Sequence, residues 1–381
     1  MIRPFHGYVV DPAAAERVVA PVTEDLDQAE RAALLSSNPD TSLFLMPDQP
    51  ADHQQGRAYF ERVTRDGNFV AEDGWWIYRI SDESHSQTGI IAEVSVDAYQ
   101  SGRILRHEHT VGEVAHHVAD ALETVGASTH PVSLVYRHNP LIDEIVAEVV
   151  ATQPRIHLDR HGRVQEAWKA ELSETLAAAL DVIPQLYIAD GHHRSAAAAV
   201  LAERDGSDAR SHFLAVLFPD VDMRILSYHR CLHLPDHSPA EILQAIRRHF
   251  WLTAIPEPNG VPEPGEVWVC GEGSWYTLTL EHGTDEGPTS ALDASRLQHQ
   301  VLGPICDVAD PRADPRLNYV PGSVPLAKVA TACDEQAGLS FVTRPPTVDD
   351  VMAVSDAGGV VPPKSTWFTP KVGAGIFLRA L

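Results

Sequence analysis

Short, mostly apolar runs of branched and aromatic residues alternate along this chain with polar stretches rich in proline and glycine. Runs of that kind predict buried strands. They fall at Gly7 to Val10, Trp75 to Ile80, Thr88 to Val96, Val132 to Tyr136, Leu186 to Ala189, Phe213 to Phe218 and Ile225 to Leu234. The second and third, joined by a polar loop over 81–87, predict an antiparallel hairpin. Helices are predicted at Pro12 to Val19, Val111 to Val125, Leu141 to Val150, Arg163 to Leu180 and Ala240 to Phe250. The alanine-rich run Ser195 to Ala202 is a further helix, because alanine has the highest helix propensity. Residues 36–56 are mostly polar, with three prolines, and predict a surface connection.

Strands interleaved with helices point to an α/β (α+β) fold around a mixed sheet. A length of 381 residues favours two domains. The best boundary is the Pro-Asp-His-Ser-Pro turn from 235, which divides residues 1–235 from a second α/β region over 236–381. In that region Val267 to Val269 and Trp275 to Leu280 predict strands.

Charge narrows the function. With 29 basic against 53 acidic residues the formal net charge is −24, which repels nucleic acid and anionic membranes alike. No nucleic-acid or membrane partner is expected, and without a leader or an apolar span the expected location is the cytoplasm. The four cysteines are far apart and form no Cys-x-x-Cys pair, so neither a zinc ribbon nor a disulfide is expected.

Three clusters carry chemistry. In Leu186-Tyr187-Ile188-Ala189-Asp190-Gly191-His192-His193-Arg194-Ser195 an apolar strand feeds a helix through an acid and a glycine. Asp190 is the expected N-cap, and Gly191 lets the backbone turn tightly. The open N–H groups of the helix start and the Arg194 guanidinium suit an anion, although plain capping accounts for the same residues. No Walker or dinucleotide glycine pattern is present.

The second cluster is Arg106-His107-Glu108-His109-Thr110. Extended, it sets both histidines on one face and Glu108 on the other. It reads as a carboxylate base tuned by its neighbours, ahead of a metal site or plain surface charge. The third is the proline-bounded segment Pro362-Pro363-Lys364-Ser365-Thr366-Trp367-Phe368-Thr369-Pro370-Lys371. Two lysines with hydroxyls between them fit a phosphate or carboxylate cradle, or equally an ordered tail strand. Glu24 and Asp25 read as first-turn acids of a following helix rather than catalytic groups.

Together with Arg3-Pro4-Phe5, these motifs resemble the bacterial and archaeal DUF1015 family in order and spacing over nearly the whole chain. The Gly-His-His-Arg-Ser-Ala-Ala segment is also similar to the phosphate box of ParB-like nucleotide-binding proteins, a group that includes free L-serine kinases. The resemblance implies a ParB/sulfiredoxin-like core whose active site the C-terminal tail revisits. It implies a kinase making O-phospho-L-serine from L-serine, with ATP, ADP or pyrophosphate as donor and Mg²⁺ as cofactor.

Under that resemblance Glu108 activates the hydroxyl, with His107 beside it, and Asp190 helps hold substrate or Mg²⁺. Gly191, His192, His193 and Arg194 hold phosphate with Lys364, Ser365, Thr366 and Lys371, while Arg106 and Thr110 contact substrate. This chain has Pro21-Val22-Thr23-Glu24 where the family commonly has Pro-Pro-Tyr-Asp, which leaves another amino acid or a hydroxy acid open as acceptor. Two other readings remain: a non-catalytic nucleotide-binding switch, and a zinc hydrolase using His107, His109, His192 and His193. A homodimer is the assembly left open.

Overall fold

The computed structural model describes residues 1–381 except 24–25, 47–48, 172 and 284–286, so Glu24 and Asp25 lie outside the described residues. The chain divides into two compact units, Met1–Met223 with Pro370–Leu381, and Arg224–Thr369. The turn at 235 thus falls inside the second unit. Strand Tyr228–His233, just ahead of it, is an inner strand of that unit's own sheet.

The first unit is built on a mixed sheet, as the interleaved pattern predicts. Its order runs Ile104–Leu105, Leu186–Asp190, Val132–Tyr136, His212–Pro219, Ser86–Ser95, Ile2–Val10, Phe69–Ser81, Arg163–Ala170, Ile156–Arg160. Phe69–Ser81 and Ser86–Ser95 form the predicted hairpin, pairing Ile77 with Ile90 and Ile80 with Gln87. Strand Phe377–Ala380 pairs antiparallel with Ile2–Val10, matching Tyr8 with Leu378. The last stretch of chain therefore belongs to the first sheet. Trp75, Ile77, Ile90, Val94, Leu134, Leu186, Ile188 and Leu217 share one buried cluster.

Buried charge also ties these strands together. Glu93, 1% exposed, receives Arg3 at 2.8 Å and Arg379 at 3.1 Å. A carboxylate so deep is tolerable only because charged donors satisfy it.

The second unit carries a six-stranded antiparallel sheet among its described residues, ordered Leu252–Ile255, Ser274–Thr279, Glu266–Gly271, Gly338–Thr343, Tyr228–His233, Leu317–Pro321. Helix Pro239–Arg247 starts from a Ser238–Glu241 capping box and turns Ile242, Leu243 and Ile246 into the core.

Several expectations need correction. The helix expected from Arg163 to Leu180 is a strand pair, Ile156–Arg160 with Arg163–Ala170, followed by helix Ser173–Asp181. His161 (φ 53°) and Gly162 (φ 70°) make the two-residue, left-handed turn that matches strand twist. Residues 36–56 are not merely a surface connection: Thr41, Ser42, Leu43, Leu45 and His53 are buried, and helix His53–Arg65 begins there. The helix expected over Pro12 to Val19 shrinks to Ala15–Val18, and the strand over Ile225 to Leu234 breaks into Arg224–Leu226 and Tyr228–His233.

Cys231 and Cys333 form a disulfide, against expectation. Their separation of 102 residues hid a pair that strand Tyr228–His233 and helix Leu326–Asp334 bring to a Cα–Cα distance of 5.6 Å. Among the described residues no helix is long and apolar enough to cross a membrane.

Candidate active site

Strand Leu186–Asp190 lies between two partners. It runs parallel to Ile104–Leu105, with Leu105 opposite Tyr187, and antiparallel to Val132–Tyr136. That register carries the chain after Leu105 alongside the end of the central strand. Residues His107 and Glu108 therefore arrive beside the turn at Gly191. The strand is uncharged and buried up to Ala189, so the first polar side chain it presents is Asp190.

Helix His192–Asp205 follows at once. Its N-cap is Gly191 at φ 98°, in the left-handed region that glycine adopts without strain, and not Asp190 as expected. Asp190 is instead drawn into an ion cluster. Arg194 Nη2 and Lys371 Nζ bind its two carboxylate oxygens, Lys371 at 2.5 Å from Oδ1. Burial would raise this carboxyl's pKa, but Lys371 and Arg194 outweigh it and hold the group well below the usual range.

Arg194 is fixed from its other side by backbone. Its Nη1 donates to the carbonyls of His130, at 2.9 Å, and Pro131. The glycine matters here too, since a Cβ at position 191 would meet the Arg194 guanidinium at 3.0 Å. Thr129 ties in the tail, accepting from Gly375 N at 2.8 Å and donating to Phe377 O at 3.0 Å.

Three histidines surround the cluster. His107, 1% exposed, stacks edge-to-face on His192 with ring centroids 4.6 Å apart. Burial lowers the His107 pKa to about 4, against a backbone hydrogen bond at Ile188 and the nearby Asp190. His192 is pushed well below its ordinary value by burial first and then by His107. Burial and then Arg194 bring His130 to about 3. All three are neutral near pH 7. Glu108 Oε2 lies 3.9 Å from His192 Nδ1, with its side chain 47% exposed, so it faces both solvent and the histidine pair.

Other predicted residues lie differently. His107 is buried whereas His109 is exposed, because the segment bends and does not share one face between them. Arg106 is exposed; Thr110 and His193 are half-buried. Lys364, Ser365 and Thr366 belong to the second unit. There Lys364 sits over the Tyr228 ring, and buried Ser365 accepts from Arg230 at 3.3 Å. Mg²⁺ does not fit Asp190: both oxygens are engaged by cations, whose charge opposes a divalent ion there. Among the described residues no three His, Cys, Asp or Glu are grouped to hold a metal.

A cavity of about 270 Å³ opens beside Arg194. Leu45, Met46, Val118 and Leu122 give it apolar walls, and Arg31, His117, Thr129 and His130 add polar ones. Of these, only Arg194 belongs to a motif that the sequence marks out. The polar run Ser128-Thr129-His130-Pro131 ahead of a wholly buried strand was the available signal.

The family of proteins of unknown function called DUF1015 matches residues 2–295. The chain belongs to that family. No curated protein matches this DUF1015 chain. Among solved structures it is similar to a free serine kinase in complex with AMP, at 13% identity and a TM-score of 0.40, covering 75% of this chain and 92% of that one. A conserved hypothetical protein from Pyrococcus furiosus gives 12% identity, a TM-score of 0.38, and coverage of 75% and 94%. SbnI from Staphylococcus aureus gives 13%, 0.38, and 74% and 85%.

Proposed function

We propose that this DUF1015 protein is a phosphotransferase that phosphorylates the hydroxyl of a free small amino acid, with L-serine as acceptor and ATP, ADP or pyrophosphate as donor, on a ParB-like core. What carries the reading is the meeting of Glu108 with the Asp190–Arg194–Lys371 cluster across neutral His107 and His192. Phosphoryl transfer asks a protein chiefly for position and charge stabilisation.

In this reading Glu108 accepts the proton of the acceptor hydroxyl as its oxygen attacks phosphorus. Arg194, Lys371 and the open N–H groups at the helix start stabilise charge on the transferring group. Asp190 holds the two cations in position, and the cavity beside Arg194 takes the body of the donor. No residue of this chain is assigned to hold Mg²⁺, which would supply charge neutralisation on the donor phosphates if it came bound to them.

The test incubates the purified protein with Mg²⁺, L-serine and each donor in turn, and scores phosphoserine. Product with at least one donor is expected. No product with any donor, or with related amino and hydroxy acids, overturns the reading and leaves a nucleotide-binding switch in its place.

A further inference from the structure

A second, smaller cavity of about 30 Å³ is also lined by Arg194. Its lining holds three guanidinium side chains, Arg194, Arg210 and Arg379, together with His130 and His212. No Asp or Glu is among its lining residues. The ion-pair partners of these arginines are Asp190 for Arg194, Glu123 and Asp205 for Arg210, and Glu93 for Arg379. All of them stand off the cavity wall.

Arg379 is the decisive residue. Its side chain is 3% exposed; Nε faces Glu93 at 3.1 Å and Nη2 donates to Ala209 O at 2.6 Å. Nη1 is buried with no hydrogen-bond partner among the described residues. Leaving a buried charged donor unmet is costly, so a cationic wall with a spare donor favours an anion over empty space. The space exceeds the roughly 10–15 Å³ that one water needs and suits a compact ion.

We infer that this cavity is a binding site for a small inorganic anion of halide or single-oxyanion size, held by Arg379, Arg210 and Arg194. Arg194 also grips Asp190, so an anion here and a ligand at the Asp190 cluster influence each other's affinity reciprocally. The site does not depend on the proposed phosphotransfer and can be tested without it.

Bromide and inorganic phosphate are the probes. Crystals grown in bromide are expected to show an anomalous peak within hydrogen-bond distance of Arg379 Nη1. Unfolding midpoints are expected to rise by roughly 2 °C in bromide or phosphate over gluconate at equal ionic strength. Arg379→Lys, which retains the charge beside Glu93 but removes the spare donor, is expected to abolish both signals. Only water in the cavity of the wild-type crystals, with midpoints that do not distinguish the anions, overturns the inference.

Discussion

Lys371 reaches back across 181 residues of sequence to place its ammonium 2.5 Å from Oδ1 of Asp190. The other oxygen of that carboxylate holds Arg194 four residues along the helix. One acid thus fixes the position of two cations, neither of which is extensively exposed.

Lys371→Met should loosen this cluster without dismantling it, because Arg194 still pairs with Asp190. Losing one partner of a buried pair costs up to about 3–5 kcal/mol, and the remaining guanidinium reduces that to about 1–2 kcal/mol. Urea unfolding measures it. A midpoint equal to wild type would mean that the lysine adds nothing to stability.

Glu108→Gln is expected to lower transfer to L-serine by about 10²–10⁴-fold, the usual contribution of a positioned base. Nucleotide affinity should stay within about twofold, since the side chain is half-exposed and faces His192, whereas Arg194 and Lys371 pair with Asp190. Calorimetric titration alongside the phosphoserine assay separates the effects. Full turnover in this variant would remove Glu108 from the role.

Stability should fall as the pH drops below neutral. His107 titrates near 4 in the folded protein against about 6.5 unfolded, so the unfolded chain takes up protons first. Its contribution is complete above pH 6.5 and is lost between there and about 4; His130 extends the decline towards 3. Asp190, depressed when folded, contributes fully above the unfolded carboxyl's pKa of about 4 and loses that contribution on further acidification. Thermal midpoints taken from pH 7 to 4 should follow this slope, and His107→Gln should flatten it. A flat wild-type profile would contradict the histidine burial.

Gly191→Ala combines backbone strain with a steric meeting. Left-handed backbone costs a non-glycine residue about 1–2 kcal/mol, and the new methyl would press on Arg194. Both the unfolding midpoint and nucleotide affinity should drop. A variant that loses stability but binds nucleotide as before would separate the turn from the guanidinium.

The cysteines give a chemical count. Thiol titration of the denatured, unreduced protein should find two free groups, Cys270 and Cys306, with Cys231 and Cys333 joined. Removing a disulfide commonly costs about 2–4 kcal/mol, so Cys231→Ser should lower the unfolding midpoint. Four titratable thiols would refute the pairing.

Much of the first sheet was legible because its strands are dominated by apolar and aromatic residues and bounded by turn residues, as in Trp75 to Ile80 and the uncharged Leu186 to Ala189. The pair at 156–170 escaped because Arg163-Val164-Gln165-Glu166-Ala167-Trp168-Lys169-Ala170 suits a helix equally well on composition. Only long-range pairing with Phe69–Ser81 decides it. In the site, the residue types at 190–194, 107–108 and 371 were readable, but not which cation would meet which acid. Strand register and the return of the tail determine that. His130 was hidden for a different reason: it holds Arg194 through its backbone carbonyl, a group every residue carries.

Because Phe377–Ala380 completes a sheet begun by Ile2–Val10, the ribosome must first make the whole intervening segment Arg224–Thr369. During synthesis the strand Ile2–Val10 waits, with one edge unfilled, for a partner made only after that segment. A stalled or prematurely stopped chain would lack both that partner and Lys371, so incomplete products should be open to proteolysis before they can act.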